Sequence, residues 1–160
     1  MQQQPRLCLR SVVASRLRHQ PPDSVRPEDF TFYVTQCALP RRSEVLLACA
    51  GRIVESILVY HAQAKWFCRA YVIMPDHLHL LIQLPLGVSL AKLMQNWKRY
   101  TTRTLALHWQ DNFFDRRLRQ DESVEEKSWY MALNPVRAGL VREPSEWKWF
   151  GFGQETSCPR

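Results

Sequence analysis

Residues 77–84 read HLHLLIQL. In an extended strand, successive side chains point to opposite faces of a sheet. One face therefore carries Leu78, Leu80, Ile82 and Leu84, and must be buried. The other carries His77, His79, Leu81 and Gln83, so two imidazoles lie side by side on it. A chain with this segment has to build a sheet whose one side is core and whose other side presents paired histidines. Such a pair suits a divalent cation, though two histidines that only hydrogen-bond would read the same way.

The neighbouring segments supply the rest of the sheet. Residues 30–38 (FTFYVTQCA) and 66–74 (WFCRAYVIM) are rich in β-branched and aromatic residues and read as strands. Pro75-Asp76 is a turn, so the second and third strands form a hairpin. Ser43 is placed to cap a helix reaching about residue 63, with Leu46, Cys49, Ala50, Ile53, Ile57 and Tyr60 as its apolar stripe. Ser89 caps a second helix that buries Leu90, Leu93, Met94, Trp97 and Thr101. Residues 112–118 form a short fourth strand. Ser123-Val-Glu-Glu126 is a capping box opening a third helix, which Pro135 ends near Leu133 or Asn134. Residues 136–160 read as an irregular tail anchored by Trp147, Trp149 and Phe150. The order strand, helix, strand, strand, helix, strand, helix predicts an α+β fold: a ferredoxin-like antiparallel sheet covered by helices, in a single domain. Residues 1–27 read as a basic arm, 28–150 as the domain and 151–160 as a tail.

Length and composition narrow the function. A chain of 160 residues has room for one domain, and 46% hydrophobic residues suffice for a core. No apolar run is long enough to span a membrane, and the Arg-dotted N-terminus lacks the apolar stretch of a secretory signal. Five widely spaced cysteines with no CxxC predict reduced thiols in the cytoplasm, not a zinc site. The net charge of +7 is focused. Residues 1–27 carry +4, including Arg6, Arg10, Arg16 and Arg18. Residues 86–119 carry +5, from Lys92, Lys98, Arg99, Arg103, Arg116, Arg117 and Arg119 against Asp111 and Asp115. Focused positive charge attracts polyanions. Trp97, Tyr100, His108 and Trp109, interleaved with the second cluster, would suit unpaired bases, although Trp97 and Trp109 also fit a core. Trp129 reads as core.

Tyr130 and Asn134 are four apart, one helical turn on one face, with Glu126 a turn earlier. A tyrosine oxygen can attack phosphorus and form a covalent intermediate. A cation held by two imidazoles and an amide carbonyl would neutralise the phosphate under attack. Each residue alone also has an ordinary structural reading.

These residues carry a resemblance. YVIMPDHLHLLIQLP resembles the His-hydrophobic-His strand of the insertion-sequence-200-like single-tyrosine transposases. WQDNFFDRRLRQDESVEEKSWYMALNPVRAGLV resembles the second half of their branch of REP-associated tyrosine transposases, and YMALNPVRAGL is especially similar. The resemblance covers roughly residues 28–150. It implies that His77 and His79 bind a metal, usually Mg2+ or Mn2+, that Asn134 stands where relatives have an amide ligand, and that Tyr130 is the catalytic tyrosine. It implies cutting and rejoining of single-stranded DNA through a 5′-phosphotyrosine without ATP, on hairpin-forming repetitive extragenic DNA. It implies a monomer, as in the REP-associated branch, with a dimer as the alternative. On this reading Lys92, Lys98, Arg99, Arg103, Arg116, Arg117 and Arg119 contact DNA, and Arg137 holds the turn after Asn134. The competing readings are a domesticated, inactive DNA-binding protein and a hydrolase that activates water, with Tyr130 structural.

Overall fold

The computed structural model describes residues 31–119 and 121–153. The basic arm, Phe30 of the first strand, Cys8, Cys158 and most of the C-terminal tail lie outside the described residues. Strand β1 (Thr31–Leu39) leads into helix α1 (Ala50–Ala62). The hairpin β2 (Phe67–Ile73) and β3 (His77–Gln83) follows, then helix α2 (Leu90–Leu105) and the short strands β4 (His108–Trp109) and β5 (Phe114–Arg117). Helix α3 (Val124–Ala132), a turn of helix α4 (Asn134–Arg137) and strand β6 (Phe150–Gly151) complete the fold.

β3 lies between β1 and β2 and is antiparallel to both. β4 and β5 both pair antiparallel with the outer edge of β1, and β6 pairs with β2. The spatial order is thus fourth strand, first, third, second, which is the ferredoxin-like arrangement expected. The order is enforced by connection chemistry. A tight turn at Pro75-Asp76 can only join antiparallel neighbours, whereas α1 crosses over to join β1 to β2 with β3 inserted between them.

The sheet is covered on both faces. On one, Phe32, Val34, Leu78, Leu80 and Ile82 pack against Ile53 and Ile57 of α1 and Leu93, Met94 and Trp97 of α2. Trp66, Trp97 and Trp109 form a ladder in this layer, with ring centroids 5.9 and 5.3 Å apart. Each buried indole has an acceptor. Trp97 Nε1 donates to Ser56 Oγ (3.1 Å), Trp109 Nε1 to Thr101 Oγ1 (2.8 Å) and Trp66 Nε1 to the Ile57 carbonyl (3.1 Å). Without those acceptors each N–H would cost about 1–3 kcal/mol to bury. Trp97 and Trp109 are therefore core residues and do not offer faces to bases; Tyr100 and His108 are exposed. On the other face, Tyr33, Ala70, Val72, Leu81 and Met131 form a smaller layer under α3, flanked by Trp147 and Phe150.

Several local expectations change. α1 starts at Ala50 after a 3-10 turn at Leu47–Cys49, and Ser43 does not cap it. The Ser43 hydroxyl donates instead to the Pro40 carbonyl at 2.6 Å, a bond within the preceding loop. Ser123 does cap α3, accepting from the N–H groups of Glu125 and Glu126, but its acidic partner is Glu125, which accepts from Ser123 Oγ at 2.7 Å. α3 ends where Pro135 predicts, at Ala132 with Leu133 as its C-cap, but Pro135 then takes part in a further helical turn. It sits in the first turn of α4, where its missing N–H costs nothing. Residues 136–153 are not irregular, since they hold the second half of α4, a 3-10 turn at Pro144–Glu146 and β6. The anchors act as expected: Trp147 Nε1 donates to the Ile73 carbonyl at 3.0 Å. Gly151 is needed in β6 because a Cβ there would collide with the Tyr71 hydroxyl. β4 was not foreseen; two residues are too few for a periodic signal.

Leu80 is fully buried at the centre of the sheet. Leu80→Ala lowers unfolding free energy by about 2–5 kcal/mol in urea titrations; a loss under about 1 kcal/mol would mean this layer is not the packed core.

Candidate active site: a histidine face under a tyrosine helix

The register of β1 against β3 pairs Thr35 with His79 and Cys37 with His77. Cross-strand partners share a face, so Tyr33, Thr35 and Cys37 stand beside the histidines on the side opposite α1 and α2. Helix α3 packs on this same side through Met131. Both histidines and the Tyr130 helix thus meet on one face of the sheet.

Each imidazole is held through Nδ1. His77 Nδ1 lies 2.8 Å from Asp76 Oδ1. Burial acts to raise the Asp76 pKa, but the His77 hydrogen bond, the Arg42 N–H (2.7 Å) and Arg41 (3.3 Å) outweigh it and hold the carboxyl below its usual range. An ionised carboxylate only accepts, so His77 Nδ1 carries a proton, and Nε2 is the ring nitrogen that does not face Asp76. His79 Nδ1 lies 2.8 Å from Thr35 Oγ1. Burial, then His77, then Lys127 push the His79 pKa down to about 3, so the ring is neutral near pH 7. In the tautomer whose Nδ1 donates to Thr35 Oγ1, the lone pair of His79 is on Nε2, away from the strand partner. The two rings are 5.0 Å apart at 79°.

Tyr33 bridges sheet and helix. It is only 8% exposed and stacks on His79, centroids 5.2 Å apart and 20° from parallel. Its hydroxyl neighbours Asn134 and Thr35. Burial first, then the proximity of Tyr130, push its pKa up to about 12 against those hydrogen-bonding neighbours, so it is a neutral phenol. The Lys127 ammonium lies 4.5 Å over the Tyr33 ring and 4.8 Å over the Tyr130 ring. Tyr130 is 45% exposed. The Arg137 guanidinium lies 4.1 Å over its ring, and Nη1 donates to the Tyr130 carbonyl at 3.4 Å. Arg137 thus holds the turn after Asn134, as its position suggested.

Asn134 is not a helix C-cap; it opens α4. Its buried Nδ2 has no hydrogen-bond partner. An amide presents oxygen in place of nitrogen when turned by 180°, and oxygen is the metal-binding atom. Two imidazoles with carboxylate or hydroxyl partners on Nδ1 have the supporting bonds of metal-ligating histidines. The donor set fits a divalent cation. Among the described residues no group of three or more His, Cys, Asp or Glu is spaced to hold one, so a third protein donor beside the two imidazoles would have to be of another kind, such as an amide oxygen. Cys37 does not qualify, because burial pushes its thiol pKa up and leaves it protonated.

The basic residues divide. Arg116 pairs with Tyr33 across β1–β5 and lies on the histidine face, tied to Glu122 at 2.5 Å. Arg117 pairs with Phe32 on the opposite face. Lys92, Arg99 and Arg103 are exposed on α2, which covers that opposite face, and Arg119 is exposed after β5. Lys98 donates to the carbonyls of Gln110 and Asp111 at 2.9 and 2.7 Å, so it fastens a loop. Trp129 is not core: it is 61% exposed. Sequence reasoning missed Tyr33, Thr35 and Lys127. Lys127 was within reach, three residues before Tyr130 on a helix; Tyr33 and Thr35 needed the β1–β3 register. Phe114, 55% exposed and paired with Thr35, is a further aromatic on the histidine face.

Because the His79 pKa sits below its usual value of about 6.5, the unfolded chain takes up a proton that the folded chain refuses between about 6.5 and about 3. The contribution of the neutral ring is full above that window and is lost as pH falls through it, by about 1.4 kcal/mol per unit. Urea titrations of chelator-treated protein from pH 7 to 4.5 show this slope, and His79→Gln removes it; equal slopes for both proteins would contradict the burial of the ring.

Comparison with known proteins agrees with this fold. A REP-associated tyrosine transposase of Escherichia coli K12 is 24% identical over 130 residues, 79% of each chain. A solved REP-associated tyrosine transposase bound to a REP hairpin matches with a TM-score of 0.70 at 22% identity, covering 86% of this chain and 82% of the other, a likeness of fold. Residues 34–122 match the family described as "Transposase IS200 like", a span that holds β1 from Val34 onward, the histidine strand and the sheet edge up to β5. With more than half its length inside that match, the chain belongs to the IS200-like transposase family.

Proposed function

We propose that this protein cuts and rejoins single-stranded DNA with Tyr130 as nucleophile and a divalent cation, Mg2+ or Mn2+, held by His77, His79 and Asn134. The observation that carries the reading is the meeting of the Tyr130 helix and both histidines on one sheet face, linked through Tyr33 and Lys127. In the cleavage step the Tyr130 oxygen attacks phosphorus. A Tyr–O–P bond forms at the 5′ side, the P–O3′ bond breaks, and the 3′ oxygen leaves as a hydroxyl after taking up a proton. A 3′-hydroxyl attacking the phosphotyrosine reverses the exchange. One phosphodiester replaces another, so no nucleotide is consumed. The bound cation would neutralise the scissile phosphate.

The chain's own groups have separable tasks. Asp76 and Thr35 orient the imidazoles. Lys127 and Arg137 flank the Tyr130 ring and bring positive charge to where phosphate must lie. Arg116 adds charge on the same face. All four central residues come from one chain, which supports a monomer as the catalytic unit. The fold match to a REP-hairpin complex and the family membership support hairpin-forming repetitive DNA with single-stranded flanks as substrate. Lys92, Arg99, Arg103, Arg117 and Arg119 remain proposed phosphate contacts, those on α2 requiring DNA to reach the far layer.

A suicide oligonucleotide, carrying a hairpin and a nicked flank, tests the reading. With Mn2+ the protein forms a covalent adduct that survives denaturing electrophoresis, and Tyr130→Phe abolishes it. Strand cutting that persists in Tyr130→Phe would assign the chemistry to water instead. His77→Ala loses the adduct while keeping hairpin affinity within about twofold; an unchanged cleavage rate would remove His77 from the site. Affinity for the single-stranded flank falls with salt at a log–log slope of about −0.7 per phosphate contact, and a flat response would exclude phosphate tracking.

A further inference from the structure

We infer that Tyr33 is a positioning residue for this reaction, setting the His79 imidazole and the Asn134 amide in one arrangement from the floor of the site. The inference rests on the proposed metal-dependent reading and adds to it a residue that neither binds the cation nor attacks DNA.

A buried tyrosine on a sheet is ordinarily packing. Tyr33 differs in what surrounds it. Its ring lies against His79, 5.2 Å between centroids and nearly parallel, which limits rotation of the imidazole. Its hydroxyl neighbours Thr35, whose Oγ1 meets His79 Nδ1 at 2.8 Å, and so belongs to the group of bonds that exposes Nε2. The same hydroxyl neighbours Asn134, whose amide nitrogen is otherwise buried without a partner. Lys127, 4.5 Å over the Tyr33 ring, is also the cation over Tyr130. One side chain therefore touches one of the sheet's imidazoles, the hydroxyl that holds it, the amide of the helical turn and the cation shared with the nucleophile. No other described residue contacts all of these.

The two parts of Tyr33 have different duties. The hydroxyl neighbours both Thr35 and Asn134, so Tyr33→Phe removes the polar group beside the amide but keeps the ring stacked. Tyr33→Leu also removes the stacking partner of His79. Groups that orient ligands typically contribute 10- to 100-fold to metal affinity or activity.

The test uses the full chain and Mn2+, with free ion followed by electron paramagnetic resonance. Tyr33→Phe weakens Mn2+ binding by about 10-fold, slows single-turnover adduct formation at limiting Mn2+ by a similar factor, recovers at high Mn2+, and leaves hairpin affinity unchanged. Tyr33→Leu is weaker still. Asn134→Ala guards against a folding defect: if Tyr33 acts through the amide, the Tyr33→Phe/Asn134→Ala protein binds Mn2+ no more weakly than Asn134→Ala alone. Tyr33→Phe with native Mn2+ affinity and native rate at limiting ion would overturn the inference while the proposed reaction stands. So would two losses that multiply. Wild-type protein that takes up no Mn2+ would defeat the metal-dependent reading and this inference with it.

Discussion

The register between β1 and β3 is the constraint on which the site depends. Thr35 opposite His79 and Cys37 opposite His77 set which side chains can reach the imidazoles. Side chains alternate along a strand, so a slip of one residue would turn Tyr33 and Thr35 into the α1–α2 layer and bring Phe32 and Val34 up beside the histidines. Phe32 and Val34 prevent that slip, because both would leave the core that they share with Leu78, Leu80 and Ile82. The precision of the polar face is thus supplied by burial on the other face.

The two layers divide labour accordingly. The α1–α2 side is thick, aromatic and hydrogen-bonded internally, with tryptophans satisfied by Ser56, Thr101 and the Ile57 carbonyl. The α3 side is thin: Met131 meets the sheet mainly at β2, among Ala70 and Val72, with Tyr33 and Leu81 in the same small layer. That thinness leaves Tyr130 half-exposed, joined through Lys127 to Tyr33, which stacks on a neutral, half-buried His79. The electrostatics follow the same division. Lys127, Arg116 and Arg137 gather on the histidine face, while the more numerous cations of α2 lie across the sheet. The charge cluster that stands out most in sequence is therefore not the one nearest the proposed chemistry.

What was legible and what was not follows from the range of each signal. The alternation of His77 to Leu84, the stripe of α2 and the Ser123 cap are local, within one or two turns or a few strand residues, and each appears as expected. The Ser43 cap failed because a nearby loop carbonyl captured the hydroxyl. The 136–153 segment was misread because α4 and β6 are too short to show a period and exist only through the chain they dock on. Trp97, Trp109 and Trp129 show that an indole's role depends on what covers it: the first two are enclosed by α1 and β1, and the third is left in solvent.

The amino-acid sequence by itself determined the face of β3 on which the histidines stand, the helical spacing of Tyr130 and Asn134, and the order of elements that closes a ferredoxin-like sheet. These are consequences of backbone period, which any reader of the chain can count. Only the tertiary structure decided that α3 crosses to the histidine side, that Tyr33 lies between His79 and Asn134, and that Lys127 serves two rings. Those contacts join residues many tens of positions apart, and they arise from how apolar surfaces on separate elements are covered, a matter that no local pattern encodes.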